Sequence, residues 1–253
     1  MADTPAFIIA EAGVNHDGDL DKAIELVKAA SKTGADAVKF QTFDPDQLAH
    51  KRGKTGTPHH RMLSNLALKT DDFRELAMEA DRHDIEFMTT PFTILDIRRI
   101  LPLVKRLKIA SGYLLDRPFL QAAAKTEKPI IISTGDPTYT KGYASYTAIG
   151  KAIDALQKAK ATDVTLLHCI SKYPADNPYT ARISFLQDLF KIPVGYSSHD
   201  IGPDACIHAA KEYGAAVIEK HFTLDKDAKG PDHHVSLEPH ELKDMIDKIR
   251  KIR

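Results

Sequence analysis

The chain has 253 residues, 43% of them hydrophobic and 28% charged, with 35 Lys and Arg balancing 35 Asp and Glu. That length suits one α/β barrel or one to two ordinary domains, and the apolar share is enough for a substantial core. A net charge near zero argues against a bulk nucleic-acid or membrane-surface binder while leaving room for a local basic pocket, and no apolar run is long enough to span a bilayer. The first residues, MADTPAFIIAEAG, lack the basic and then long apolar regions of a signal peptide. The two cysteines, Cys169 and Cys206, lie in apolar patterns and read as small buried side chains. Without a disulfide framework, a cytoplasmic protein is expected.

In chain order, short apolar strand patterns alternate with helical ones. Strands are predicted at Ala6–Ala12, Ala35–Thr42, Glu86–Pro91, Leu107–Ser111, Pro129–Thr134, Asp163–Cys169, Pro193–Ser197 and Ala215–Phe222. Such continuous apolar runs are expected where a sheet is covered on both faces. Helices are predicted at Leu20–Lys32, Thr70–His83, Thr93–Val104, Pro118–Lys125, Tyr143–Lys158, Ala181–Phe190, Pro203–Tyr213 and Pro239–Ile252. Asp19 is a candidate N-cap, and Gly34 and Gly214 stand where helices commonly end left-handed. Eight β-then-α units favour a closed barrel of parallel strands, a (β/α)8 TIM barrel over residues 1–253. An open doubly wound sheet is the alternative, weakened by the absence of a Gly-rich phosphate fingerprint after the first strand. The longest connection, Phe43 to Lys69, reads as a loop over the active face, a lid or substrate loop.

Nearly every predicted strand ends in a residue able to do chemistry: Glu11, Lys39 with Gln41, Thr89 with Thr90, Ser111, Ser133, Ser171, His199 and His221. A barrel gathers those ends on its catalytic face. By period two, Ser197 and His199 share one face of the seventh strand, Glu219 and His221 one face of the eighth, and Lys39 and Gln41 one face of the second. Two imidazoles from adjacent strands can converge on one divalent ion and leave positions open for substrate. A single His of this kind is more often a hydrogen-bonded core side chain; two on neighbouring strand ends, followed by Gly-Pro-Asp-His at 230–233, favour a metal or catalytic role. Ligand type alone leaves Mn²⁺, Fe²⁺, Co²⁺ and Zn²⁺ open. Lys39 and Lys108 are costly to bury unless they face an anion, and Ser111 and Ser133 can complete a phosphate or carboxylate site. Snorkelling to solvent is the plain alternative, about as strong as the anion role for Lys108.

Ile9-Ala-Glu-Ala-Gly-Val-Asn-His-Asp-Gly18, Gly34-Ala-Asp-Ala-Val-Lys-Phe-Gln-Thr42, Thr90-Pro-Phe92, Lys108-Ile-Ala-Ser-Gly112, Ser133-Thr-Gly135, Leu167-His-Cys169, Tyr173-Pro174, Gly195-Tyr-Ser-Ser-His199, Val217-Ile-Glu-Lys-His-Phe-Thr-Leu-Asp225, Gly230-Pro-Asp-His233 and Ser236-Leu-Glu-Pro239 together resemble the sialic acid synthase family. That family includes N-acetylneuraminate synthases and their legionaminic, pseudaminic and spore-coat relatives. The resemblance runs the length of the chain. It implies condensation of phosphoenolpyruvate with an open-chain N-acetylated sugar such as N-acetylmannosamine, giving a nine-carbon 2-keto sugar acid and phosphate. It implies a divalent metal, Mn²⁺ first with Mg²⁺ and Co²⁺ open, on His199 and His221 with Asp232 in the outer shell, polarising the aldehyde as a Lewis acid. It further implies a phosphoenolpyruvate cradle of Lys39, Lys108, Ser111, Ser133 and Ser197 with Thr89 or Thr90 and Ser171 nearby. Gln41 and Tyr173 become sugar contacts, Glu11 the acidic residue of the first strand, and a homodimer the expected assembly.

Three departures stand out. The family's Glu after Lys-Ile-Ala-Ser-Gly is Tyr113 here; a phenol, with a pKa of about 10, is no carboxylate base at neutral pH. The C-terminal antifreeze-like domain and the N-terminal hairpin common in the family are not found in these residues. A catalytically impaired phosphoenolpyruvate- or sugar-binding homologue, and a different metal-dependent aldolase or lyase on the same fold, therefore stand as alternatives.

Overall fold

The computed structural model describes residues 5–136 and 138–251; the predicted helix end at Ile252 and the residues Met1–Thr4 lie outside them. Eight parallel strands form one sheet in the order β3-β2-β1-β8-β7-β6-β5-β4. They are β1 (Phe7–Gly13), β2 (Ala37–Thr42), β3 (Glu86–Pro91), β4 (Leu107–Ile109), β5 (Ile130–Ser133), β6 (Val164–Cys169), β7 (Val194–Ser198) and β8 (Val217–His221). β3 and β4 lie side by side at the seam, so the sheet curls into a nearly closed (β/α)8 barrel. The helices outside are α1 (Leu20–Thr33), α2 (Pro45–Lys51), α3 (Pro58–Leu66), α4 (Thr70–Arg82), α5 (Ile94–Ile100), α6 (Arg117–Ala124), α7 (Tyr146–Lys158), α8 (Arg182–Phe190), α9 (Asp204–Tyr213) and α10 (Pro239–Arg250). Among the described residues no helix is long and apolar enough to cross a membrane.

Alternation along the strands divides the core. Ile8, Ala10, Val38, Phe40, Ile109, Ile132, Leu166, Val194 and Ile218 meet the helices in one large cluster. Ile9, Ala37, Met88, Ile131, Leu167 and Val217 form a separate apolar plug, in the manner of side-chain layers filling a small barrel. The register then stacks charge above the plug: Ile9 lies opposite Ala37, and two residues on Glu11 lies opposite Lys39 on one side and His221 on the other. The local signals worked as expected at several ends. Asp19 accepts the Lys22 N–H as N-cap, and α1 and α9 end at Gly34 and Gly214, both in the left-handed region.

The expected loop from Phe43 to Lys69 is instead two helices, α2 and α3. Asp44 caps α2 through the N–H groups of Asp46 and Gln47, Thr57 caps α3, and each helix has Pro at its start. Leu48, Leu63 and Leu66 pack on Val14 and Phe43, a small second core of their own. This excursion after β2 rests against the first βα turn, since a Cβ at Gly18 would fall 2.1 Å from the Asn65 carbonyl. The fourth strand is also shorter than its apolar run: it stops at Ile109, and Ser111–Tyr113 is a 3₁₀ turn.

Barrel closure leaves one tight point. Gly195, opposite Leu167, faces β8 so closely that a Cβ would sit 2.2 Å from the Val217 carbonyl and 2.8 Å from Leu167 Cδ2. Gly195→Ala is expected to destabilise the fold by about 1–3 kcal/mol through overpacking, read as a lower midpoint in urea. Gly112→Ala, with nothing among the described residues within 4 Å of its added methyl, should leave the midpoint unchanged; equal effects would contradict the packing described.

Candidate active site

Four buried charges alternate in sign across the barrel mouth. Lys39 Nζ lies against Glu11 and 3.5 Å from Glu219 Oε2, and donates to Thr90 Oγ1 at 2.9 Å. Lys108 Nζ sits 3.4 Å from the other Glu219 oxygen and donates to Ser133 Oγ at 2.8 Å. Ser197 Oγ donates to Glu219 Oε1 at 2.8 Å. None of the four charged side chains is more than 7% exposed. Burying such ions costs several kcal/mol each and is sustained only by their pairing.

The two carboxyls differ. Burial raises the pKa of Glu11, an effect that Lys39 offsets only in part. Burial acts on Glu219 in the same sense, but Lys108 and Lys39 outweigh it and hold that carboxyl low. Burial lowers Lys108 against the pull of Glu219, whereas Glu11 and Glu219 together overcome burial at Lys39 and raise it. Glu219 is thus the fixed anion between two amines, and Glu11 the carboxyl nearest to taking a proton. Two desolvated amines, each with its own hydroxyl partner, make a centre able to receive an anionic ligand.

Beside it, Ser111 and Ser171 meet over a bare stretch of backbone. The Gly135 N–H donates to Ser111 Oγ at 2.9 Å. A Cβ at Gly135 would lie 2.2 Å from Ser171 Oγ and 2.8 Å from Ser111 Oγ, so only glycine lets both hydroxyls approach there.

The imidazoles of His199 and His221 lie with ring centroids 5.6 Å apart. His199 Nδ1–H donates to the Ile170 carbonyl at 2.5 Å, so that in the neutral ring the lone pair is on Nε2, which the Tyr173 hydroxyl meets at 2.8 Å. Among the described residues His221 Nδ1 is buried without a hydrogen-bond partner, 3.9 Å from Asp232 Oδ2. Burial, reinforced by His199, pushes His221 well below its ordinary range, so it is neutral. Around Gly13, a Cβ would be 3.3 Å from Glu11 Oε1, 3.4 Å from Gln41 Nε2 and 3.6 Å from Asp232 Oδ2. Among the described residues no three His, Cys, Asp or Glu side chains gather on one ion position. The donor chemistry still fits a divalent ion: one imidazole has its tautomer fixed by a backbone carbonyl, and the other is neutral with a nitrogen unpaired beside a carboxylate.

The fold therefore brings Glu11, Lys39, Thr90, Lys108, Ser133 and Ser197 into one network, Ser111 and Ser171 into its neighbour, and His199, His221, Tyr173, Gln41 and Asp232 around the imidazole pair. Two predicted residues are elsewhere. Thr89 has the opposite parity to Thr90 on β3, and its hydroxyl is shared with Thr42 Oγ1 at 2.8 Å. Tyr113 turns away from the charged network: its hydroxyl donates to the Phe92 carbonyl and its ring packs 4.3 Å from that of Phe119. Burial pushes its pKa up to about 12, so it is a neutral donor and takes no part as a base. Glu219 is the residue missing from the expected site set; its place on the His221 face of β8, two residues earlier, was the signal for it.

A family model described as the NeuB family matches residues 26–253. The chain is 42% identical over 264 residues to the N,N'-diacetyllegionaminic acid synthase of Legionella pneumophila, covering 96% of this chain and 71% of that protein. It is 41% identical to the uncharacterized protein MJ1065 of Methanocaldococcus jannaschii, covering 98% of this chain and 71% of the other. A crystal structure of the N-acetylneuraminic acid synthetase of Leptospira borgpetersenii, in complex with citrate, superposes with a TM-score of 0.90 at 31% identity, over 98% of this chain and 84% of that one.

The charge alternation makes a stability prediction that is independent of turnover. Glu219→Ala strands the buried Lys108 amine and leaves Lys39 with Glu11 alone, and should cost about 3–5 kcal/mol in urea unfolding at neutral pH. Glu11→Ala removes the more easily neutralised carboxyl and should cost less. The reverse order would show that Glu219 is not the anchoring anion.

Proposed function

The chain belongs to the NeuB family, and from that premise we propose that it condenses phosphoenolpyruvate with the open-chain aldehyde of an N-acetylated sugar. One water is consumed, and a nine-carbon 2-keto sugar acid of sialic acid type and phosphate are the products. It is a transferase-type synthase. The relatives differ in sugar: one is named for diacetyllegionaminic acid and another for N-acetylneuraminic acid.

The observation that carries this reading is the pair of buried amines, Lys39 and Lys108, each with a hydroxyl partner and both within 3.5 Å of Glu219. Phosphoenolpyruvate has two anionic groups on a three-carbon frame, so two amines with Thr90, Ser133, Ser197, Ser111 and Ser171 at hand suit it in charge and in hydrogen-bonding capacity. Among side chains this buried, charge-assisted hydrogen bonds to phosphate and carboxylate gain strength. The amines also bear on the chemistry, because they stabilise the charge that leaves with phosphate. Glu11 holds or releases a proton next to Lys39 as the new carbon–carbon bond and the ketone form. Gln41 and half-exposed Tyr173 orient the sugar from the imidazole side.

His199 and His221, with Asp232 beside them, are the residues proposed to hold a divalent ion, Mn²⁺ first with Mg²⁺ and Co²⁺ open. When bound, it polarises the aldehyde oxygen.

The test is phosphate release from phosphoenolpyruvate and Mn²⁺ with N-acetylmannosamine, its 6-phosphate or a diacetamido hexose. One acceptor should give release that a chelator abolishes and added Mn²⁺ restores, and Lys108→Met should lower kcat/KM at least about 100-fold, the loss of a charge-assisted pair in the transition state. Binding of phosphoenolpyruvate with no release from any acceptor would instead favour an impaired homologue, to which Tyr113 at the family's Glu position points. Consumption of pyruvate in its place would mean a different aldolase.

A further inference from the structure

The imidazoles of His199 and His221 stand at adjacent strand ends, yet the ladder between β7 and β8 stops at the Ser198–Lys220 pair. The peptide carrying His199 and Asp200 lies past it. A polar knot on the opposite face of the strands takes over. Lys220, fully buried at 0% exposure, donates to Ser198 Oγ at 3.2 Å and to the backbone carbonyl of Asp200. The hydroxyls of Ser198, at 2.9 Å, and of buried Tyr196 both donate to Asp200 Oδ2. Asp200 Oδ1 is buried with no partner among the described residues.

As pure packing this arrangement is poor. A buried ammonium is expensive, an unsatisfied carboxylate oxygen adds to the cost, and apolar side chains of the same size would fill the space more favourably. What the knot does achieve is connection. Lys220 immediately precedes His221 in β8, and the carbonyl it holds belongs to the residue that immediately follows His199. One ammonium thus bolts together the two backbone segments that carry the imidazoles, at the point where the ladder no longer does so.

We propose that Lys220 is a positioning residue: its bond to the Asp200 carbonyl fixes the turn bearing His199 against the strand bearing His221, and so sets the spacing and orientation of the two imidazoles. The inference builds on the reading of those imidazoles as a metal pair, but its first test does not need the metal.

That test compares the imidazole ¹H–¹⁵N spectrum of the metal-free protein with that of Lys220→Met/Asp200→Asn, which removes both charges together and strands neither. His199 signals are assigned with His199→Gln. Met245→Ala, a buried change in α10, serves as a control of lowered stability, and Tyr196→Phe as a milder variant should the double one fail to fold. Wild type should show one sharp His199 ring state protonated at Nδ1. The Lys220 variant, or Tyr196→Phe to a smaller degree, should broaden it or mix the tautomers, while Met245→Ala leaves it sharp. Unchanged His199 signals overturn the proposal. In a second arm, Mn²⁺ binding followed by electron paramagnetic resonance should weaken about 10–100-fold in the Lys220 variant, with phosphoenolpyruvate affinity within twofold of wild type. A parallel loss of both affinities would make Lys220 merely structural and overturn the assignment. Failure of wild type to bind Mn²⁺ would sink the metal reading alone, and the ring signals would still decide the role of Lys220.

Discussion

The pairing of Glu219 with two lysines is the constraint around which this barrel is built. One carboxylate from β8 lies within 3.5 Å of amines from β2 and β4, alternate strands around the barrel, with β1 between β8 and β2 and β3 between β2 and β4. None of the three could be buried alone. Together they fix where the apolar plug of Ile9, Ala37, Met88, Ile131, Leu167 and Val217 must end and where polar chemistry begins. The register supplies the rest: once Glu11 is level with Lys39 and His221, amines, hydroxyls and imidazoles fall on one face without further adjustment.

The same alternation explains what could be read from the residues alone. Strand ends rich in Ser, Lys and His, with inward positions two apart, led directly to Lys39, Ser133, Ser197, His199 and His221. Of Thr89 and Thr90 only one can face inward, and it is the hydrogen bond to Lys39 that selects Thr90. Tyr113 entered through the resemblance alone, as the residue at the family's Glu position, and β4 ends before it at Ile109. A 3₁₀ turn follows, which directs the phenol to the Phe92 carbonyl. The α2 and α3 helices were hidden by their brevity and polarity. Their starts were nonetheless written as Asp44-Pro45 and Thr57-Pro58, each a capping side chain before a proline.

The site divides into two halves of different character. The lysine–serine half is rigid through ion pairing and glycine-tight contacts such as that at Gly135. The imidazole half depends on connections made outside the ladder: the Ile170 carbonyl on His199, Tyr173 stacked on the same ring, and the knot behind β7 and β8. The proposed condensation needs both. One half must hold an anionic nucleophile in place, and the other must present an electrophile at a reproducible distance.

The most direct measurement is a calorimetric titration of phosphoenolpyruvate into the metal-free protein, repeated with Lys108→Met and with His199→Ala. The account predicts one site per chain, binding weakened at least about tenfold by loss of the amine, a difference of about 1.4 kcal/mol, and little changed by loss of the imidazole. Binding that is absent, or that survives Lys108→Met and fails with His199→Ala, would contradict the assignment of the buried lysines as the seat of the anionic substrate.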